Sequence, residues 1–219
     1  AAAEAAHAAG AKFIMGINPI AAAIVKTPAE CGADIAVGEG QPLGIPMGFG
    51  GPYLGFMACT EKMQRKLPGR IVGQTSDAKG NRCFVLTLQA REQHIRREKA
   101  SSNICSNEAL CALTAAVYMA VMGPEGMRKT AEQCFAKAHY LAARITSLPG
   151  FKMVNPGEFF HEFVTTSPVC AKKLLDALEE KGILGGLPVE GGILWCATEM
   201  NGTEQIEELV SVLKEVSGK

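Results

Sequence analysis

The segment GEGQPLGIPMGFGGPYLG, residues 38–55, is the part of the sequence whose composition most suggests a binding site. It contains seven glycines and three prolines, no lysine or histidine, and a single charged residue, Glu39. Glycines remove side chains from between the backbone and an approaching molecule, so a loop of this kind can accept a ligand or a neighbouring subunit. A tight structural crossing without any ligand would have the same composition. Residue types alone leave both interpretations open.

Two common nucleotide-binding motifs do not fit this segment. The Gly-x-Gly at 38–40 is followed by three residues before the next glycine, whereas a dinucleotide-binding fingerprint needs two. Pro42 and Pro46 also oppose the helix that should start there. A P-loop would need Gly-Lys-Ser or Gly-Lys-Thr, and the nearest following lysine is Lys62.

The charged segment REQHIRREKASSN, residues 91–103, is a second candidate site. Ser101, Ser102 and Asn103 are of the types that cap helix N-termini, where backbone amides are free to bind an anion. Together with Arg97 they would suit a carboxylate or a phosphate. Ordinary capping beside a solvated charged segment is the alternative interpretation.

Composition excludes several classes of protein. Lysine plus arginine and aspartate plus glutamate are both 22, and a net charge of zero favours neither nucleic acid nor an anionic membrane surface as a partner. No apolar run approaches the roughly 18 residues of a spanning helix, and the alanine-rich start does not have the pattern of a signal peptide. The eight cysteines include no Cys-x-x-Cys pair. Their positions favour reduced, buried thiols in a cytoplasmic protein and do not predict a metal site.

The elements that would position these segments alternate between strands and helices, which predicts an α/β fold. Short apolar runs bounded by glycine, asparagine or proline predict strands at 12–17, 34–39, 53–60, 83–88, 159–165 and 192–198, and the strands at 12–88 look like strands covered on both faces. Turn residues at 77–81 predict a hairpin within 71–88. Helices are predicted from the Ser101–Asn103 caps to Gly123, from Pro124 to about residue 147, over 168–181 and over 203–216.

Two segments, EGQPLGIPMGFGGPYLG and REQHIRREKASSNIC, closely resemble the glycine decarboxylase, or P-protein, of the glycine cleavage system. The version that the chain is most similar to is subunit 1, the α subunit of the two-subunit enzyme, and the resemblance corresponds to its C-terminal half. It implies the aspartate-aminotransferase-like fold of type I pyridoxal-phosphate (PLP) enzymes. Residues 1–123 would then be the C-terminal part of the large domain, and 124–219 the linking helix and the small α/β domain. Half a large domain would leave apolar faces exposed.

The resemblance also implies where the cofactor is held. The equivalent loop of the β subunit, glycine dehydrogenase subunit 2, carries the lysine that bonds PLP, and matching its Ile-Pro to Ile45 and Pro46 places Gln41 at the lysine position. An amide nitrogen is not a nucleophile, so no catalytic residue and no covalent PLP are expected on this chain. The residues expected to approach the shared site are Gly48, Phe49, Gly50, Gly51, Pro52 and Tyr53, and Arg97, Ser102 and Asn103 are candidates for binding an anionic group.

The function implied by this resemblance is that of a subunit in a cytoplasmic heterotetramer. That assembly would decarboxylate glycine on PLP and transfer the aminomethyl group to the lipoyl group of H-protein. Two alternatives remain open at this stage. The chain could be a non-enzymatic α/β interaction module with a vestigial PLP-like loop, or an active PLP enzyme that uses another lysine, of which Lys99 would be the first to test.

Overall fold

The computed structural model describes residues 1–69, 71–88, 93–100 and 108–218. These residues form two compact units, Ala1–Val121 and Met122–Lys219. The predicted α/β class is confirmed by both units, each of which combines helices with a sheet. That 1–123 and 124–219 belong to a large and a small domain stays a prediction.

The first unit is built on a three-stranded sheet in the order β1-β2-β3. It begins with helix α1 (Ala2–Ala8), followed by β1 (Ile14–Gly16), β2 (Ile35–Glu39) and β3 (Gly55–Cys59). β1 runs parallel to β2, and β3 runs antiparallel to it. A 3-10 turn, Ala21–Ala23, lies between β1 and β2. The prediction that both faces of these strands are buried is wrong for this chain, because Ile14 and Met57 are each exposed.

A separate hairpin follows, formed by β4 (Ile71–Ser76) and β5 (Arg82–Thr87). Its turn is fixed by the carboxylate of Asp77, which accepts hydrogen bonds from the backbone N–H groups of Lys79 and Asn81 at 2.8 and 2.9 Å. These bonds hold the pKa of Asp77 below its usual value. The predicted hairpin is therefore confirmed, with its turn at the predicted residues.

Two helices lie in the region of the second candidate site and beyond it. The short α2 (Gln93–Arg96) runs into a 3-10 turn, Arg97–Lys99, and the long α3 spans Ala109–Thr146. Gly123 interrupts α3 with φ 61° and ψ 178°, a conformation favoured for glycine, and Pro124 opens the next segment. The break predicted at this pair is confirmed. The start predicted at Ser101–Asn103 lies outside the described residues.

Helix α3 is also long and apolar enough, by length and composition alone, to span a membrane. No such segment was expected from the sequence, because no uninterrupted apolar run is long enough, but the mean hydropathy of α3 is high enough for a span. This is weak support for a span because core helices of soluble proteins pass the same test. The break at Gly123 and the charges of Glu125, Arg128 and Lys129 further divide its apolar length.

The second unit packs helices against one face of an antiparallel sheet in the order β6-β8-β7. Its elements after α3 are β6 (Glu162–Thr165), α4 (Ala171–Glu180), β7 (Leu187–Val189), β8 (Gly192–Cys196) and α5 (Thr203–Ser217). The predicted strands and helices are present, with Gly182 in the left-handed conformation after α4. Strand β7 is not among the predicted strands. Its central residue, Pro188, does not favour a strand in the sequence, but an edge strand tolerates proline.

The core of the second unit is continuous. Alternate residues of β6 and of the central strand β8 point into it, namely Phe163, Thr165, Ile193 and Trp195. They meet Leu141 and Ile145 of α3 and the apolar faces of α4 and α5. Trp195 is a fully buried member of this core, and Phe159 packs at the margin of the same cluster.

The described cysteines are all free thiols, but their burial is mixed. Cys111 and Cys134 are buried as predicted, whereas Cys170 and Cys196 are exposed. The expectation of mostly buried thiols is therefore wrong for these two.

Candidate functional site

The glycine-rich loop, residues 40–54, connects β2 to β3. Because these two strands are antiparallel neighbours whose last paired residues are Glu39 and Gly55, the loop leaves and re-enters the sheet at one edge. Gly40 donates its N–H to the carbonyl of Leu54 at 2.6 Å, which extends the pairing by one residue into the loop. A Cβ on Gly40 would lie 2.9 Å from the side chain of Leu54, so the close approach requires glycine. The two ends of the loop are therefore held side by side.

Glu39 holds the two sides of the loop together. A single carboxylate oxygen, Oε1, accepts hydrogen bonds from the N–H of Gln41 at 3.0 Å and from the N–H of Leu54 at 2.7 Å. Hydrogen bonds to an ionised carboxylate are about twice as strong as neutral ones. No role was predicted for Glu39 from the sequence. It could have been singled out because it is the one charged residue in the segment 38–55.

Gln41 directs its side chain back into its own loop. The amide Nε2 donates a hydrogen bond to the carbonyl of Ile45 at 2.9 Å, and the N–H of Ile45 returns one to the backbone carbonyl of Gln41 at 3.2 Å. The side chain is therefore a structural part of the turn at 41–45. A lysine ammonium could donate to the same carbonyl, and after losing a proton its nitrogen could attack an aldehyde, which the amide nitrogen of Gln41 cannot do.

The middle of the loop rests on helix α3 within the first unit. Leu43 is buried, and Gly44 adopts φ +81°, with its Cα so near the ring of Tyr118 that an added Cβ would lie 2.9 Å from it. Both the backbone conformation and the close contact require glycine at this position. This packing fixes how residues 47–53 leave the body of the unit.

The six residues predicted to approach the shared site are consecutive, and they form the tip of the loop, residues 48–53. The N–H of Gly50 points to the hydroxyl of Tyr53 at 3.4 Å, and a Cβ on Gly48 would lie 2.6 Å from the carbonyl oxygen of Gly51. Phe49 stands at the summit with φ 49° and is 96% exposed. An aromatic side chain held outside the body of the chain is placed to contact another molecule.

The second candidate site is only partly described. Arg97 is exposed and adopts φ 51°, an uncommon conformation for a residue with a side chain. Ser102 and Asn103 lie outside the described residues. Among the residues that the structure does describe, no hydrogen bond or ion pair joins Arg97 to residues 47–53, so the anion-binding group stays a prediction.

The chemistry available in the glycine-rich loop is therefore limited to shape and hydrogen bonding. It has no lysine, and the residue at the expected position, Gln41, has its amide engaged by Ile45. These residues do not fit a covalently held PLP. They do fit a close contact with a cofactor or a substrate carried by another polypeptide, because Gly48, Gly50 and Gly51 present backbone without side chains.

Comparison with known proteins gives a consistent result across the whole chain. The family model described as glycine cleavage system P-protein matches residues 1–213. The chain is 52% identical over 221 residues to the probable glycine dehydrogenase (decarboxylating) subunit 1 of Dictyoglomus turgidum, covering 97% of this chain and 49% of that protein. It is 50% identical over 218 residues to the protein of the same name from Desulfitobacterium hafniense, covering 96% of this chain and 49% of the relative.

Solved structures agree with these relatives. A crystal structure of glycine decarboxylase (P-protein) of the glycine cleavage system, in inhibitor-bound form, matches with a TM-score of 0.93 and 47% identity, covering 98% of this chain and 50% of the other. Mouse CSAD matches with a TM-score of 0.67 at 15% identity, which shows a shared fold alone. The predicted PLP-enzyme fold of type I is therefore confirmed. The chain spans about half the length of the relatives it matches.

Proposed function

The chain belongs to the glycine cleavage system P-protein family, and from this premise we propose that it acts as part of the subunit of glycine decarboxylase that carries no PLP lysine. In this proposal it is catalytic only together with glycine dehydrogenase subunit 2, which holds the cofactor. The assembly, a cytoplasmic heterotetramer, decarboxylates glycine and passes the aminomethyl group to the lipoyl group of H-protein. PLP supplies the electron sink for this chemistry when it is bound to the partner.

The observation that carries the proposal is the state of Gln41. Its amide is bonded to Ile45 within a loop that keeps the glycines of a cofactor-binding turn but contains no amine. Gly48, Gly50 and Gly51 leave backbone groups uncovered at the tip, and the loop conformation itself also favours glycine at these positions. The role of this chain is therefore to shape the pocket and exclude water from it, with backbone groups of residues 48–53 facing a site held by the partner.

The electrostatic character of the tip supports this role. Residues 48–53 contain no charged side chain, and the carboxylate of Glu39 is occupied by two backbone N–H groups at the base of the loop. An uncharged tip can enter a pocket without the desolvation cost of an ion. It would leave the binding of the glycine carboxylate and of the cofactor phosphate to other residues, for which Arg97, Ser102 and Asn103 remain candidates.

Reductive trapping tests the proposal directly. The full-length protein is purified with subunit 2 and PLP, reduced with borohydride and digested, and the pyridoxyl-modified peptide is identified by mass spectrometry. We expect the modification on subunit 2 and none on any lysine of this chain, including Lys99. A pyridoxyl group on a lysine of this chain would overturn the proposal and favour an independent PLP enzyme.

An activity assay separates the enzyme subunit from an interaction module. Glycine-dependent release of carbon dioxide is measured with each subunit alone and with both, in the presence of lipoylated H-protein. We expect activity only when both subunits are present. Subunit 2 that is fully active without this chain would leave it the role of an accessory module.

A further inference from the structure

The start of β6 and the end of β8 bring three potential metal ligands together in the second unit. They are His161, Glu162 and Cys196, and the nearest ligand atoms of the three side chains all lie within 4.8 Å of one another. Glu162 and Cys196 are directly paired across the two antiparallel strands, so their side chains leave the same face of the sheet. The N–H of Ala197 donates to the carbonyl of His161 at 3.2 Å, which fixes His161 beside the same strand end.

The three side chains are not committed to other partners. In the portion of the chain that the structure describes, neither His161 nor Glu162 forms an ion pair, and Cys196 is a free thiol. The ring of His161 packs in a T-shaped arrangement against the ring of Phe160, at 4.8 Å between centroids. Both carboxylate oxygens of Glu162 and the ring nitrogens of His161 are thus available to a ligand.

The kind of ligand follows from the donor atoms. One imidazole nitrogen, one carboxylate oxygen and one thiolate form a mixed set that suits zinc, whereas magnesium and calcium prefer oxygen ligands alone. Bonds of about 2.0–2.3 Å to zinc place neighbouring ligand atoms of a tetrahedral site closer than 4.8 Å, and small side-chain rotations at exposed positions can close that difference.

Three protein ligands would leave one position of a tetrahedral site without a protein ligand. Glu162 and Cys196 are exposed, so water or a small ligand could reach that position. This is the arrangement of an open zinc site rather than a closed structural one.

We propose that His161, Glu162 and Cys196 form a zinc-binding site with one position left open to solvent. The site is separate from the glycine-rich loop, which belongs to the other unit, and does not depend on the proposed function. The sequence did not predict it because Cys196 lies 34 residues after Glu162, far outside the spacing of a recognisable zinc motif.

Metal titration of the full-length protein tests this inference. After chelation and reduction, the protein is titrated with zinc alone, and with cobalt as a spectroscopic substitute. We expect one zinc to bind saturably at this cluster, and cobalt to give the charge-transfer band of a cobalt–thiolate bond with the intense visible bands of tetrahedral coordination. Absence of the thiolate band would overturn the site.

Matched variants assign the metal to these residues. Cys196→Ser should remove the thiolate band and weaken zinc binding by roughly tenfold or more, and His161→Gln and Glu162→Gln should weaken binding similarly while keeping the thiolate band. Cys170→Ser changes an exposed thiol of the same unit and should alter neither property. Far-ultraviolet circular dichroism and the fluorescence of Trp195 show whether each variant is folded. Unchanged zinc binding in folded Cys196→Ser, or an equal loss in Cys170→Ser, would overturn the proposal.

Discussion

The indole N–H of Trp195 donates a hydrogen bond of 2.8 Å to the hydroxyl of Thr165, and the two side chains are 1% and 0% exposed. Thr165 is one of the few polar residues buried in the described chain, and its hydroxyl satisfies a donor that has no access to water. The largest side chain in the core of the second unit is therefore oriented by one polar contact on the neighbouring strand.

Removing that acceptor should destabilise the second unit. In Thr165→Val the shape of the side chain is kept but the indole N–H is left buried without a partner, which costs about 1–3 kcal/mol of the free energy of unfolding. Urea denaturation followed by the fluorescence of Trp195, the single tryptophan of the chain, measures this loss. Thr165→Ser keeps the acceptor and should lose less. If Thr165→Val proved as stable as the wild type, the hydrogen bond would have no net value.

The stability of the second unit should fall in acid through Glu207. Its carboxylate accepts hydrogen bonds from Arg144 and from the hydroxyl of Tyr140, and these contacts, that of Arg144 first, lower its pKa from 4.5 to about 2. The unfolded chain takes up this proton at a higher pH than the folded one. The stabilisation is therefore complete above about pH 4.5 and is lost as the pH falls towards 2.

The measurement is the urea midpoint as a function of pH in wild type and in Glu207→Gln. The variant should be less stable at neutral pH and should lose less stability between pH 5 and pH 2. Glu208→Gln, which changes an exposed neighbour on the same helix, is the matched control and should retain the acid dependence of the wild type. A parallel pH profile for wild type and Glu207→Gln would show that other groups govern the acid transition.

Gly44→Ala should loosen the glycine-rich loop. The substitution places a side chain at φ +81°, which costs roughly 1–2 kcal/mol, and brings its Cβ within 2.9 Å of the ring of Tyr118. Hydrogen exchange at the N–H groups of Leu43 and Ile45, which close the turn, should become faster. Gly55→Ala, where a Cβ meets open space, is the control and should leave this exchange unchanged. Equal protection in both variants would contradict the packing described for Gly44.

Phe49→Ala should show whether Phe49 contributes to assembly with subunit 2 or to folding of the chain. Because Phe49 is 96% exposed, its removal should change the free energy of unfolding of the chain by less than about 0.5 kcal/mol. If the loop tip enters the site of subunit 2, the same change should weaken assembly or reduce glycine decarboxylation by roughly tenfold or more. Met200→Ala, an exposed apolar residue of the other unit, should affect neither. Full activity and assembly of Phe49→Ala would contradict the proposed approach.

The elements themselves were largely predictable because each had a local signal. Gly123 and Pro124 marked the break in α3, and the turn residues at 77–81 marked the hairpin. What the sequence could not show depended on contacts between distant residues. The bond from Leu54 to Glu39 is made only when β2 and β3 pair, and the meeting of Glu162 with Cys196 depends on the register of β6 and β8. Likewise, the spacing of apolar residues along a helix shows that they share a face. It does not show whether anything packs against that face.

That stripe lies on the first half of α3, where the sequence places large apolar residues three and four apart. The helix instead turns its small residues, Cys111 and Ala115, into the first unit, while Leu110 and Val121 are 77% and 79% exposed. Leu113 and Val117 extend the same exposed face. The expectation of exposed apolar area is therefore confirmed.

An exposed face of this kind should make the isolated chain self-associate, because burying it removes apolar surface from water. Leu113→Glu places a charge in the middle of the face and should shift the chain towards monomer in sedimentation velocity experiments. Ala112→Glu adds the same charge on the opposite side of the helix, where the residue is also exposed, and should leave association unchanged. The relatives of this chain are about twice as long, and in a protein of that length we expect other residues to cover the stripe. There Leu113→Glu should lower the free energy of unfolding, since the stripe is then covered, and Ala112→Glu should not. If Leu113→Glu and Ala112→Glu were equally stable in the longer protein, the stripe would be exposed to water there too. The expectation that other residues cover it would then be wrong.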